Sequence, residues 1–304
     1  MTHIADKNYI TGISHAVLGV LCFAPGAVFI KMAAGIDSIE ITMHRMAAAS
    51  FLIFLFSIFS ANSIRALGRL ELKELGLFGL VAAVHFGCFV ASLSFTLVSH
   101  SLALCYTAPV FAALFSSVIL SKRCGRVKMA GIAVTFAGIL VLVGLEPKLN
   151  SSVLIGDALA LVSGVALGLY QTLGGMYADR YSILKYKGNA YFFAALYLFL
   201  ALMILRFWTG GFHSEYSAYS ICGVVCSAVI CTLIGHVFVN SALRRVDTVL
   251  VSLITTQEVT GGILFAMVFL GEMPAPVSLA GIVISLAGIA LVIASKDHSN
   301  EKKQ

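Results

Sequence analysis

Residues 256–294 read TQEVTGGILFAMVFLGEMPAPVSLAGIVISLAGIALVIA, and residues 106–144 read YTAPVFAALFSSVILSKRCGRVKMAGIAVTFAGILVLVG. A shift of 150 residues lays one on the other without a gap and puts Gly131 on Gly281, Ala137 on Ala287 and Gly138 on Gly288. Each stretch is an apolar run, a short turn and a second apolar run. The opening parts of the halves match more loosely, Gly12 against Gly156 and Ala16 against Ala160. The chain therefore reads as one module used twice, residues 1–148 and then 149–304, the second ending in a short cytoplasmic tail.

Working outward from this repeat, 60% of the 304 residues are hydrophobic and only 11% are charged, with mean hydropathy +0.98. A soluble domain carries about 25% charged residues. A bilayer core about 30 Å thick needs ~20 apolar residues per helix. Ten such runs lie near 10–31, 40–60, 75–97, 101–120, 129–145, 154–175, 189–207, 217–240, 246–270 and 276–295. Strand alternation is absent, which argues against a β-barrel. The first run is longer than a signal-peptide core and lacks a small-residue cleavage motif after it, so it is expected to be a retained span.

Charge placement sets the topology. Of the 20 Lys and Arg, sixteen fall on one side of the alternation: Lys7, Arg65, Arg69, Lys73, Lys122, Arg123, Arg126, Lys128, Arg180, Lys185, Lys187, Arg244, Arg245, Lys296, Lys302 and Lys303. Only Lys31, Lys148 and Arg206 fall on the other, and Arg45 lies within the second run. Short loops rich in Lys and Arg stay cytoplasmic, so both termini are expected inside. The net charge of +6 is thus a topology signal, with no nucleic-acid footprint. Five spans per copy means the second copy enters the bilayer from the opposite side. The expected fold is all-α integral membrane: ten transmembrane helices, two inverted five-helix repeats. Such repeats suit a protein that opens alternately to either face, with its site near the midplane between the halves.

The loops are short, so chemistry falls to polar residues inside the runs. Glu258 is the one acidic residue deep within a run. A charge there costs about 2.5–3.5 kcal/mol on insertion scales, so it must face protein or water. At helical spacing Ser252, Thr255, Glu258 and Gly262 share a face within about 120°, while Gln257 points away and suits packing. Glu258 could exchange a proton with substrate or pair with a substrate ammonium, or serve as a structural carboxylate bonded to a neighbouring helix. His85 and His236 lie mid-run; they could relay protons or bind an anionic group, or bridge helices. His44 and His100 lie near run ends. Tyr170 and Gln171 follow the Gly164/Gly168 notch, and Tyr106 precedes Pro109; each could line a path. Asn240 is a further candidate. Pro25-Gly26 and Pro109 would kink their helices, as a gating hinge or simply to shape the bundle. Gly131, Gly138, Gly281 and Gly288 read as packing notches. Lys31 and Arg45 could draw anions to the outer mouth or snorkel to headgroups, the reading favoured here. Asp157 and Asp247 suit helix N-termini. Seven cysteines, six of them in apolar runs, lack the grouped His or carboxylates that a zinc site needs.

This ordered set of motifs resembles the drug/metabolite transporter superfamily in its ten-span EamA-type branch. A first-span W-G-x-x-F pattern followed by a lysine resembles Pro25-Gly26-Ala27-Val28-Phe29-Ile30-Lys31, with proline in place of tryptophan. An arginine early in span two matches Arg45, and a P-V-F segment matches Pro109-Val110-Phe111. An E-P segment followed by F-L-G-E matches Glu258 and Phe269-Leu270-Gly271-Glu272, with Val259 in place of proline. The resemblance implies a secondary permease, usually an exporter of amino acids, related metabolites or toxic compounds.

Rival classes lack their motifs. Val162-Ser163-Gly164 lacks the leading glycine of an intramembrane serine protease, the eight histidines are scattered, and no phosphate-binding loop appears. A receptor or scaffold would not need two inverted copies. The expectation is a non-enzyme without cofactor or metal that moves a small-molecule substrate by alternating access across a bacterial inner membrane. Export of an amino acid or relative is the first expectation. Efflux of cationic drugs and import of a metabolite are the alternatives. Protons are the candidate coupling ion, and the working unit is expected to be a monomer.

Overall fold

The structure is a computed structural model that describes residues 2–33, 35–58, 67–96, 98–121, 124–143, 151–178, 180–209, 214–270 and 276–294. Among these residues every regular element is helical. In chain order the helices are α1 (Thr2–Phe23), α2 (Gly26–Met32), α3 (Ser38–Ile58), α4 (Arg69–Ser92), α5 (Val98–Cys105), α6 (Ala108–Ile119) and α7 (Arg126–Val143). Then follow α8 (Ser151–Ala178), α9 (Ile183–Thr209), α10 (Ala218–Cys226), a π-helical stretch (Ser227–Gly235), α11 (His236–Leu243), α12 (Thr248–Thr255), α13 (Glu258–Leu270) and α14 (Pro276–Ala294). Among the described residues six helical stretches are long and apolar enough to cross a membrane, and each of the ten apolar runs read from the sequence contains helix.

The surface confirms the solvent. Phe51, Phe56, Leu114, Val118, Phe199 and Phe269 all point outward and exposed, while Arg45, His85, Lys187 and His236 are buried. Apolar outside and polar inside is the arrangement a bilayer imposes, because lipid cannot satisfy polar groups. Phe207 and Trp208 end α9 at 84% and 80% exposure, the placement of an interfacial aromatic anchor.

Two helix pairs far apart in the chain pack closely on each other. α7 lies on α14, and α3 lies on α9. Both pairs run antiparallel: an added Cβ at Gly131 would meet Val292 and Gly288, whereas one at Gly138 would meet Ser285 and Gly281. Likewise Glu40 meets Arg206 while Ser50 bonds Gly188 O. The α7–α14 glycines are therefore packing notches, as expected. At Gly138 a Cβ would fall 2.4 Å from Ser285 N, a backbone atom that cannot swing away. Gly138→Leu should lower stability by about 1–3 kcal/mol or more, read as earlier thermal loss of the size-exclusion peak in detergent. Gly125, with nothing within 4 Å of an added Cβ, is the position where Ala should be neutral.

Three of the apolar runs are broken helices. The first breaks at Ala24-Pro25, and the expected kink at Pro25 is a complete interruption between α1 and α2. The fourth breaks at Tyr106-Thr107 and the ninth at Thr256-Gln257, positions that the 150-residue shift superposes. At both, the backbone tightens to three-residue turns, Thr107 N to Leu104 O at 3.2 Å and Gln257 N to Ile254 O at 3.0 Å. Threonine hydroxyls drive this by bonding carbonyls three residues back: Thr107 to Leu104 O, Thr255 to Ser252 O and Thr256 to Leu253 O. Such back-bonding competes with the helix ladder and bends it. Pro109 follows the break as an early residue of α6, where proline's missing N–H costs little. It starts a half-helix and does not kink a continuous one, a correction to the sequence expectation. The shared face of Ser252, Thr255, Glu258 and Gly262 likewise assumed a continuous ninth helix, which the structure interrupts.

Candidate functional site

The breaks meet around one cavity of about 90 Å³ as traced by the centre of a water-sized sphere. A single water needs ~10–15 Å³ on that measure, so the space holds several waters or a small organic molecule. All eight substrate or coupling candidates read from the sequence line it: Tyr106, His85, Tyr170, Gln171, His236, Asn240, Thr255 and Glu258. Gly26 and Gly262 line it as well. Part-exposed Ile30, Phe89, Leu93 and Leu102 lie toward the end marked by residues 35–37 and 93–96, whereas Gln171, Asn240 and Thr255 are buried toward the other. The cavity therefore opens toward the first end and is closed at the second.

Gly164 and Gly168 of α8 cradle the α5–α6 break. Added Cβ atoms there would fall 2.7 Å from Leu104 O and 2.7 Å from the Phe111 Cβ, so only glycine lets the broken helix come so close. Gly261 does the same for the α1–α2 break, its Cβ position 2.6 Å from that of Ala24.

Glu258 is the first residue of α13. The positive end of that half-helix favours a carboxylate there. The Tyr106 phenol hydrogen-bonds it, and Arg45 is its charged neighbour. Arg45 corrects the favoured sequence reading. It does not reach toward headgroups but is 6% exposed, lines the cavity and donates from Nε and Nη2 to Thr232 Oγ1 at 3.3 and 3.2 Å. Among the described residues no ion pair joins Arg45 to Glu258. Arg45 and Glu258 thus face one chamber without a direct ion pair between them. The π-helical stretch delivers Cys231 to the lining and sets Thr232 against Arg45, and wide turns of this kind recur at functional sites.

The remaining polar groups are braced. His85 Nδ1 meets Ser163 Oγ at 2.9 Å, and Ser163 Oγ in turn donates to His85 O at 2.9 Å. Gln171 Nε2 donates to Thr255 Oγ1 at 3.1 Å, and Asn240 Nδ2 to His236 O at 2.5 Å. Gln171 Oε1, Asn240 Oδ1 and His236 Nδ1 are buried without a protein partner. Gln257 points away from the cavity and donates to Ser285 Oγ at 2.6 Å, a packing bond. Asp247 caps α12 by accepting from Val249 N at 3.0 Å and pairs with Lys128 at 3.4 Å. Asp157 lies in the second turn of α8 and accepts from Thr96 at 2.6 Å. His44 bonds Tyr216 at 3.1 Å beside the loop end of α3. Gly271 and Glu272 lie outside the described residues, as do the side chains of Lys31 and His100.

Sequence reasoning missed Lys187 by assigning it to a basic loop. It is the fifth residue of α9, is fully buried, and donates to the Tyr170 hydroxyl. The seventh apolar run begins at 189, whereas α9 begins at Ile183 and so takes in Lys185 and Lys187. The flanking Tyr186 and Tyr191 were the available signal.

An outward-apolar helical bundle with interrupted helices around a buried charged chamber is the architecture of a membrane transporter. The chain belongs to the EamA-like transporter family, whose model matches residues 10–144 and again 154–294. It is 26% identical over 291 residues to an uncharacterized transporter of Archaeoglobus fulgidus, covering 92% of this chain and 96% of that one. A second uncharacterized transporter of the same organism is 32% identical over 83 residues, 27% of this chain and 29% of the other. A solved crystal structure superposes with a TM-score of 0.78 at 15% identity, over 95% of this chain and 99% of that one, a likeness of fold alone.

Proposed function

We propose that this chain is a secondary permease that carries a zwitterionic metabolite, an amino acid or close relative, out across a bacterial inner membrane. It works by alternating access between inverted halves 1–148 and 149–304, with ten spans and both termini cytoplasmic. The observation that carries the substrate reading is the unpaired opposition of Arg45 and Glu258 in one cavity. A substrate carboxylate takes the guanidinium fork, and its ammonium takes Glu258. A purely cationic drug would meet Arg45 with nothing to offer it, which disfavours that alternative.

The inverted arrangement is supported by the antiparallel packing of α7 on α14 and α3 on α9, the matching breaks at 106–107 and 256–257, and the two family-model matches. Discontinuous helices at corresponding positions of two repeats are where such transporters hold substrate. The charge bias makes the closed end cytoplasmic, so the conformation is outward-open.

A competition screen in proteoliposomes tests this. L-amino acids should inhibit uptake of a labelled L-amino acid at least about tenfold better than matched amines or carboxylic acids that lack one charge, a difference of about 1.4 kcal/mol. Stronger inhibition by cationic drugs, or equal inhibition by amines, overturns the zwitterion reading. Loading the label inside or outside assigns the direction.

A further inference from the structure

Lys187 sits outside the cavity, behind Tyr170. Its Nζ lies 4.1 Å from the centroid of the Tyr170 ring, 5.0 Å from Phe78 and 5.5 Å from both Tyr186 and Tyr191. Its one hydrogen bond goes to the Tyr170 hydroxyl. Among the described residues no carboxylate pairs with it. The titratable groups around this box are the phenols of Tyr170 on α8 and of Tyr186 and Tyr191 on α9, His85 on α4, His236 on α11 and Arg45 on α3. Arg244 neighbours Tyr186. Every charge among them is positive. An ammonium buried among cations without a counter-charge is costly, and the Tyr170 hydroxyl and the ring faces offset it in part, the latter by roughly 2 kcal/mol for a desolvated contact. A lysine kept only to pack the box would be better replaced by an apolar side chain.

The box is also wired to the cavity. Lys187 donates to Tyr170, Tyr170 bonds Tyr191, and Tyr191 donates to Thr232 O at 3.2 Å. The Thr232 hydroxyl receives Arg45, the cavity's own cation. Tyr170 itself lines the cavity and stacks on Phe78 with ring centroids 4.8 Å apart.

We propose that Lys187 is a proton-binding site that takes up and returns one proton per transport cycle through Tyr170. It rests on the transport reading above. In the release step the Tyr170 oxygen takes a proton from the ammonium, whose nitrogen keeps the electron pair. The phenol's own hydrogen leaves its bond to the Tyr191 oxygen, turns to a cavity water and passes to it. The reverse step reloads the amine. A bound solute changes what Tyr170 faces, and so changes the balance between the two states.

The test uses full-length protein in proteoliposomes with radiolabelled L-amino acids as probe. Wild type should show exchange between labelled and unlabelled solute, and a steady-state accumulation that shifts about tenfold per unit of pH gradient, the ratio one coupled proton sets. Lys187→Gln and Lys187→Met should keep exchange and lose that shift; the second covers misfolding of the first. Lys187→Arg keeps a cation that cannot be deprotonated and should also lose it. Retention of the shift in Gln, Met or Arg variants overturns the proposal, as does a wild type that exchanges solute without responding to the gradient. Absence of wild-type exchange would overturn the transport reading and this proposal together.

Discussion

Glu258→Gln should leave the protein monodisperse in detergent and cut amino-acid transport by about 30- to 5,000-fold. The range corresponds to about 2–5 kcal/mol for removing one partner of a buried, hydrogen-bonded charge pair. Glutamine preserves the volume and the bond from Tyr106, so the α12–α13 break and its threonine turns remain. What disappears is the negative charge held at the first residue of a half-helix. In a zwitterion carrier that charge meets the substrate ammonium, and a neutral amide cannot replace it. Glu258→Asp keeps the charge on a shorter arm and should recover part of the flux. The comparison separates the functional reading from the structural one. A carboxyl that merely tied helices together would lose stability on substitution while the surviving protein transported normally. Flux per folded molecule is the quantity to measure, and wild-type flux in the Gln variant would overturn the role of Glu258.

The parts of this molecule that were legible in its sequence are those that the bilayer dictates. Apolar length fixes where helices run, and the self-similarity of 106–144 and 256–294 fixes which helices are partners. The polar residues stranded in those runs had nowhere to go but inward, and all eight candidates line the cavity. The breaks were less visible. Pro25 announced one, but Thr107 and the Thr255-Thr256 pair act through hydroxyl bonds that leave no periodic trace. Two cations were misread for a shared reason. Arg45 and Lys187 lie within two turns of a helix start, where length alone cannot distinguish an inward residue from one reaching out to headgroups or loop. The missing information was the face of the helix. Long amphipathic side chains satisfy both readings of a sequence, and only the packing of α3 against α9 decides between them.

Arg45 supplies the second large effect. Arg45→Met should abolish amino-acid transport to within the same 2–5 kcal/mol range, about 30-fold or more, because it removes the cation that receives the carboxylate. Methionine fits the buried site and leaves Thr232, whose hydroxyl still bonds Ser227 O at 3.2 Å, so the π-helical wall is retained. Arg45→Lys keeps the charge but not the planar fork. Two nitrogens of Arg45 already hold Thr232, and a lysine amine cannot both make that contact and grip a carboxylate from two directions. Flux should therefore fall about tenfold or more. The decisive measurement is selectivity. In wild type an amino acid should outcompete its decarboxylated amine, because the amine forfeits the Arg45 contact. In Arg45→Met neither solute has that contact, so the ratio should collapse toward one while Glu258 still recognises the ammonium of each. In Glu258→Gln the mirror result is expected with the matching carboxylic acid. An arginine that only reached headgroups would leave both ratios at their wild-type values, and that outcome would remove Arg45 from the site.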